Sequence, residues 1–200
     1  MKLMTKNLTL AALLAVLALN ANAVTLDIHG IKLEDSATVA GVPLKLNGAG
    51  TRYKGPFKVY VAGLYLGKKT SSPEVVVSQP GPKRLSITMV RNIEARELGR
   101  LLTRGIEDNM GKAAVSKLIP GMLRMGEIFA VQKKLGPEDN LTIEWVPGSG
   151  TVITVRGQVQ GEPFKEPEFF KAMMSIWLGP DPADWRLKEE LLGIKKVTTE

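Results

Sequence analysis

Arg52 and Tyr60 are the two side chains in this sequence best suited to gripping a polar group. A guanidinium presents a planar fork of donors that matches a carboxylate or an enolate oxygen. A phenol rising from an apolar strand adds one further donor in a dry setting. Tyr60 sits inside Phe57–Leu66, the most strand-like segment of the chain. Converging on one apolar space, the two would hold the head of a mostly apolar ligand, which is how small-molecule pockets are usually built. On spacing alone the plainer reading carries more weight: a surface arginine, and a core tyrosine whose hydroxyl is satisfied.

Most other chemistry is ruled out by composition. The single histidine, His29, cannot build a triad or a multi-histidine metal site, and a lone histidine on a strand reads as surface or core filler. There is no cysteine, hence no thiolate chemistry and no disulfide. Acidic residues do not cluster at metal-ligand spacing; Glu34-Asp35 and Glu138-Asp139 each stand beside a turn. Gly48-Ala49-Gly50 lacks the third glycine and the following helix of a phosphate-cradling loop, so Asn47–Gly50 reads as a turn. No metal and no cofactor is expected.

The elements that must position Arg52 and Tyr60 come in two periods. Leu26–Leu33 and Gly41–Leu46 alternate as strands. Phe57–Leu66 is apolar on both faces beyond Lys58, which places it deep in a sheet. Glu74–Ser78 and Arg84–Val90 read as two more strands. Helical spacing then takes over in Glu94–Met110, with Asn92 as its N-cap. A second helical piece covers about 112–118, and a third starts at Pro120. A hairpin follows, Asn140–Val146 and Thr151–Gly157 around Pro147–Gly150. Helices over Glu166–Leu178 and about 183–192 close the chain. Strands, helices, a hairpin and helices again describe an α+β domain, one antiparallel sheet with its helices gathered on one face.

The first 23 residues read separately, as a secretory signal peptide. Lys2 and Lys6 precede an apolar run over 8–19, and Ala21-Asn22-Ala23 supplies the small residues of a cleavage site, so cleavage is expected between Ala23 and Val24. The run is too short to span a membrane. The mature chain, residues 24–200, is then expected to be a single soluble periplasmic domain of about 177 residues. Its 44% hydrophobic and 24% charged residues over the full chain are ordinary globular values. Basic residues exceed acidic ones but are scattered, and export makes nucleic acid a poor partner.

At Asn47–Arg52 and Phe57–Leu66 the sequence resembles the chalcone isomerase-like family, closest to its bacterial exported branch. The likeness continues through the helix ending Glu107-Asp108-Asn109, through Asn140–Val155, and into Met174–Gly179. It implies an antiparallel sheet wrapped against helices, with a ligand cleft between them. Plant members that are true isomerases close a flavanone ring by intramolecular attack of a phenolate on an enone; related members bind fatty acids. The resemblance puts Arg52 in the cleft through the Gly-Ala-Gly-x-Arg motif. It puts Tyr60 at a position that is Thr in the isomerases and Tyr in the fatty-acid binders. Asn109 and Ser175 are implied as further cleft residues. The isomerases carry a catalytic Tyr seven residues before that Asn, where this chain has Leu102, and the segment after Arg52 is shorter here. The first expectation is therefore a binder of a fatty acid or similar amphipathic carboxylate. An intramolecular lyase using Arg52 and Tyr60 comes second, and a non-catalytic interaction module third.

Overall fold

Thirteen residues of unbroken strand, Val42–Lys54, set the scale of the architecture. The computed structural model describes residues 25–197; the expected leader and its cleavage point at Ala23 and Val24 lie outside that range. In chain order the strands are β1 (Thr25–Ile28), β2 (Ile31–Glu34), β3 (Ser36–Val39), β4 (Val42–Lys54), β5 (Phe57–Leu66), β6 (Lys83–Met89), β7 (Ile93–Glu94), β8 (Lys134–Leu135), β9 (Asn140–Val146), β10 (Gly150–Val155) and β11 (Gln158–Val159). The helices are α1 (Pro73–Ser78), α2 (Ala95–Asn109), α3 (Lys112–Ala130), α4 (Pro167–Leu178) and α5 (Trp185–Leu191). Seven strands form one antiparallel sheet in the order β11-β10-β9-β6-β5-β4-β3. This is the α+β arrangement expected from the periodicity.

Alternation decides which face is buried under helices. In β6 Lys83, Leu85, Ile87 and Met89 are buried, and they stand opposite Leu66, Leu64, Ala62 and Tyr60 of β5. These side chains share one core with α2, α3 and α4. Helix α4 is buried on nearly every side, with Phe169, Phe170, Met173, Met174, Ile176 and Trp177 all inside, as befits a helix that is apolar all round. The other face of β4 and β5 is covered by the β1–β2 hairpin, where Ile28 and Leu33 meet Ala49 and Val61. Both faces of β5 are therefore filled, as its sequence required. No helix among the described residues is long and apolar enough to cross a membrane.

Several sequence expectations are corrected. Leu26–Leu33 is a hairpin rather than one strand, because His29 and Gly30 both adopt positive φ (54° and 80°) and reverse the chain. His29 is half-buried in that turn, with Nδ1 3.0 Å from Lys58 Nζ. Glu74–Ser78 is helical: the Ser72 hydroxyl accepts from Val75 N, and Pro73 occupies the first turn, where its missing N–H costs nothing. Helix α2 begins at Ala95 after Glu94, leaving Asn92 outside it. Helix α3 runs through Pro120 without a break. Its buried Leu118, Met122 and Met125 bridge the proline, and tertiary packing offsets the lost backbone bond.

Asn47–Gly50 is not a turn either; it lies in the middle of β4. The glycines are there because α5 lies directly on the strand. A Cβ at Gly48 would strike the backbone carbonyls of Glu190 and Leu191, and one at Gly50 would strike the Glu190 carboxylate. Both ends of the same helix satisfy the β4 edge that β3 leaves open. Thr51 N donates to Glu190 Oε2 (3.3 Å) and Tyr53 N to Asp184 Oδ2 (3.0 Å). Side-chain carboxylates thus stand in for a neighbouring strand and close an edge that could pair with another chain. Gly50→Ala should lower the denaturant midpoint by the equivalent of about 1–3 kcal/mol, the usual cost of overpacking. An unchanged midpoint would show that α5 can lift away freely.

Candidate functional site

Two compensating β-bulges bring the expected pair together. At the hairpin end Lys54 faces Phe57 and Tyr53 faces Lys58; at the far end Leu46 faces Tyr65 and Lys45 faces Leu66. Between them the pairing is displaced by one residue, from Arg52 opposite Tyr60 to Gly48 opposite Leu64. Val59 is the extra residue on β5 and Asn47 the extra residue on β4. Without the first bulge Arg52 would face Val59, and Tyr60 would stand on the other side of the sheet, because a slip of one residue exchanges faces. The second bulge is held by its own side chain. Asn47 Nδ2 donates to Thr70 O (3.0 Å) and Leu191 O (2.8 Å), while Oδ1 accepts from Thr70 N (2.8 Å).

Arg52 and Tyr60 line a cavity of about 490 Å³ between the sheet, α2, the end of α4 and the segment 181–183. Val59, Leu98, Leu101, Leu102, Ile176 and Trp177 supply its apolar wall. Charged side chains, including Lys54, Arg91, Glu94 and Asp181, also line it. The volume falls within the roughly 300–1,000 Å³ of ordinary small-molecule sites.

Tyr60 is only 6% exposed, and its hydroxyl accepts a hydrogen bond from Trp177 Nε1 at 2.8 Å. Its proton donates to no partner among the described residues and remains available. Burial pushes the phenol up to about 12, against a partial opposing pull from the Trp177 hydrogen bond and from Arg52. It is therefore a neutral donor throughout the physiological range.

Arg52 is fixed by charge rather than by hydrogen bonds. Its Nη1 lies 3.5 Å from Asp184 Oδ2, and none of its N–H groups makes a hydrogen bond among the described residues. Asp184 is itself clamped. Oδ1 caps α5 by accepting from Arg186 N (2.9 Å) and Leu187 N (3.2 Å), and Oδ2 accepts from Tyr53 N. The carboxylate orients the guanidinium and leaves its donors for an incoming anion.

The other two expected residues do not line the cavity. Asn109 closes α2 against the 181 segment: Nδ2 donates to Gly105 O (2.9 Å) and Asp181 O (2.7 Å), and Oδ1 accepts from Asp181 N (2.8 Å). It holds a wall of the cavity without facing it. Ser175 turns back into its own helix and donates to Ala172 O (2.7 Å), the local bond a helical serine readily makes. The sequence reading also missed Trp177 and Asp184. A tryptophan on an all-apolar helix needs an acceptor for its N–H, and that need was a usable signal for Trp177. Asp184 stands just before a short amphipathic stretch, where an N-cap belongs.

The raised phenol has a measurable consequence. A tyrosine with a folded pKa above its unfolded value near 10 stabilises the fold fully below pH 10, and this contribution is lost as pH rises through 12. Tyr65, whose hydroxyl donates to Glu34 O, is also pushed up to about 12 by burial. Stability should fall by roughly 2–3 kcal/mol per buried tyrosine at most between pH 10 and 12. In an absorbance titration, two of the three tyrosines should ionise only above pH 11. Three ordinary titrations would show that the phenols are wet.

A family model described as chalcone isomerase-like matches residues 25–193. Among solved structures, a fatty-acid binding protein from Arabidopsis thaliana superposes with a TM-score of 0.67 at 14% identity, covering 84% of this chain and 95% of that one. At that identity the likeness shows the fold. No curated protein sequence matches significantly.

Proposed function

The chain belongs to the chalcone isomerase-like family, and from that premise we propose that it binds a fatty acid or similar amphipathic carboxylate in the cavity between sheet and helices. One observation carries the reading: the bulge at Val59 sets Arg52 directly opposite Tyr60 on the wall of a largely apolar cavity. The guanidinium and the phenol supply unspent donors for a carboxylate head. Leu98, Leu101, Leu102 and Ile176 supply the surface for a hydrocarbon tail. The description of the Arabidopsis relative as a fatty-acid binding protein supports the ligand class. Leu102 brings no hydroxyl to the cavity at the position where the isomerases carry a tyrosine, which favours binding over ring closure.

We place this binding in the periplasm, after cleavage between Ala23 and Val24, as the N-terminal pattern suggests. A periplasmic extract should yield a chain starting at Val24. The binding itself is tested by native mass spectrometry of the purified protein incubated with lauric, palmitic or oleic acid. One acid per chain is expected. A protein that stays empty with all three would overturn the proposal.

A further inference from the structure

Charge and exposed aromatics are unevenly placed around the cavity. Between Ser36 and Ile93 nine lysines and arginines stand against a single acid, Glu74. The β4–β5 hairpin tip lies in this acid-poor stretch and projects Phe57, which is 60% exposed. Lys54 faces Phe57 across the hairpin, and the Arg91 guanidinium lies 5.2 Å from the Phe57 ring centroid. Lys54 and Arg91 both line the cavity. Neither they nor Lys58 makes an ion pair among the described residues.

A second exposed aromatic, distant in the chain, adjoins a residue bonded to this hairpin. Trp185, also 60% exposed, follows Asp184, the residue that accepts from Tyr53 N beside the same hairpin tip. Arg186 lies 5.6 Å from the Tyr53 ring centroid. The carboxylates here are committed: Asp184 to Arg52 and to backbone N–H groups, and Glu190 to Arg186 and Thr51 N. The acids that line the cavity, Glu94, Glu97, Asp108 and Asp181, belong to the α2 and 181 sides rather than to the hairpin.

We propose that the β4–β5 tip, with Trp185 beside it, docks on an anionic lipid bilayer and presents the cavity to the membrane. A tryptophan seats at the headgroup level, where one end is apolar and the other wet, and an exposed phenylalanine buries its ring in the acyl boundary beneath. Lysines and arginines near an anionic surface each add about 1 kcal/mol, or roughly fivefold in affinity. Phe57 and Trp185 supply the first element; Lys54, Lys58 and Arg91 supply the second. The surface complements an anionic bilayer in charge. The proposal builds on the ligand reading only for its purpose, since a carboxylate with a hydrocarbon tail partitions into membranes and docking shortens its path to the cavity.

The test is co-sedimentation of the mature protein with vesicles of equal parts phosphatidylglycerol and phosphatidylcholine, against pure phosphatidylcholine, at low salt. Binding to the anionic vesicles should be at least tenfold tighter and should weaken as salt is added. The double variant Phe57→Ser, Trp185→Ser should lose most of it, and Lys58→Gln should lose about fivefold. None of these three residues lines the cavity, so oleate binding in vesicle-free solution should be unchanged in each. Independently of any variant, brominated phosphatidylglycerol should quench tryptophan emission of the wild type. Absence of sedimentation, equal binding to both vesicles, or undiminished binding by the double variant would each overturn docking. Docking that persists in a chain unable to bind oleate in solution would sink the ligand reading alone.

Discussion

Arg52→Ala should weaken binding of a fatty acid by roughly 10- to 150-fold, the equivalent of 1.5–3 kcal/mol for charge-assisted hydrogen bonds. The variant removes the guanidinium that can meet the head as a fork. It also leaves the Asp184 carboxylate, now 3.5 Å from nothing cationic, facing the incoming anion. Both changes act in the same direction. Arg52→Lys should fall between, because an ammonium keeps the charge but loses the planar pair of donors. Isothermal titration with oleate checks the series. A methyl ester of the same acid should be nearly indifferent to the substitution, because it carries no charge. Equal loss for acid and ester would mean that Arg52 shapes the cavity instead of holding the head.

Trp177→Ala should be the most destabilising single change at the site, by about 3–5 kcal/mol, the usual cost of truncating a buried tryptophan. Trp177 is 1% exposed in the central core, and its N–H is the partner of the Tyr60 hydroxyl. Truncation therefore opens a void and strips a buried phenol of its donor at once. Trp177→Phe separates the two effects. It keeps a six-membered ring and loses the N–H with two ring carbons, so its cost should be smaller, about 1–2 kcal/mol. The phenol should then titrate still higher, because the hydrogen bond that partly offsets burial is gone. Denaturant unfolding followed by circular dichroism gives the stabilities, and absorbance near 295 nm gives the titration. Equal cost for Ala and Phe would mean that the hydrogen bond, and not the packing, holds this corner.

The parts of this molecule legible in its sequence are those written in local patterns. The segment Phe57–Leu66, apolar on both faces beyond Lys58, reads as a strand covered on both faces, and it is. Two strand-like runs around Pro147–Gly150, the second alternating cleanly, gave the hairpin, and Glu166–Leu178 gave a helix. What was not legible depends on residues far apart in the chain. Gly48 and Gly50 look like turn glycines, yet they are small because α5, some 140 residues later, lies on them. Val75-Val76-Val77 has strong strand propensity, yet Ser72 and Pro73 start a helix that buries Val76. The pairing of Arg52 with Tyr60 is subtler still. Counting outward from the Gly55-Pro56 turn in regular register sends the two residues to opposite faces. Only the Val59 bulge, which no local pattern announces, returns them to one side. Asn109 and Ser175 show the converse: a resemblance carried their positions near the cleft, while their side chains found nearer carbonyls.

The central claim is that a carboxylate head is held by Arg52 and Tyr60 within the cavity. Carbon-13 resonance of carboxyl-labelled palmitate bound to the protein reads that head directly. A carboxylate beside a guanidinium and accepting from a phenol is stabilised in its charged form. Its signal should therefore stay that of the ionised acid well below the usual carboxylate range, and should return toward the ordinary titration in Arg52→Ala. A bound carboxyl that titrates at or above the ordinary value in the wild type would place the head away from both residues and contradict the account.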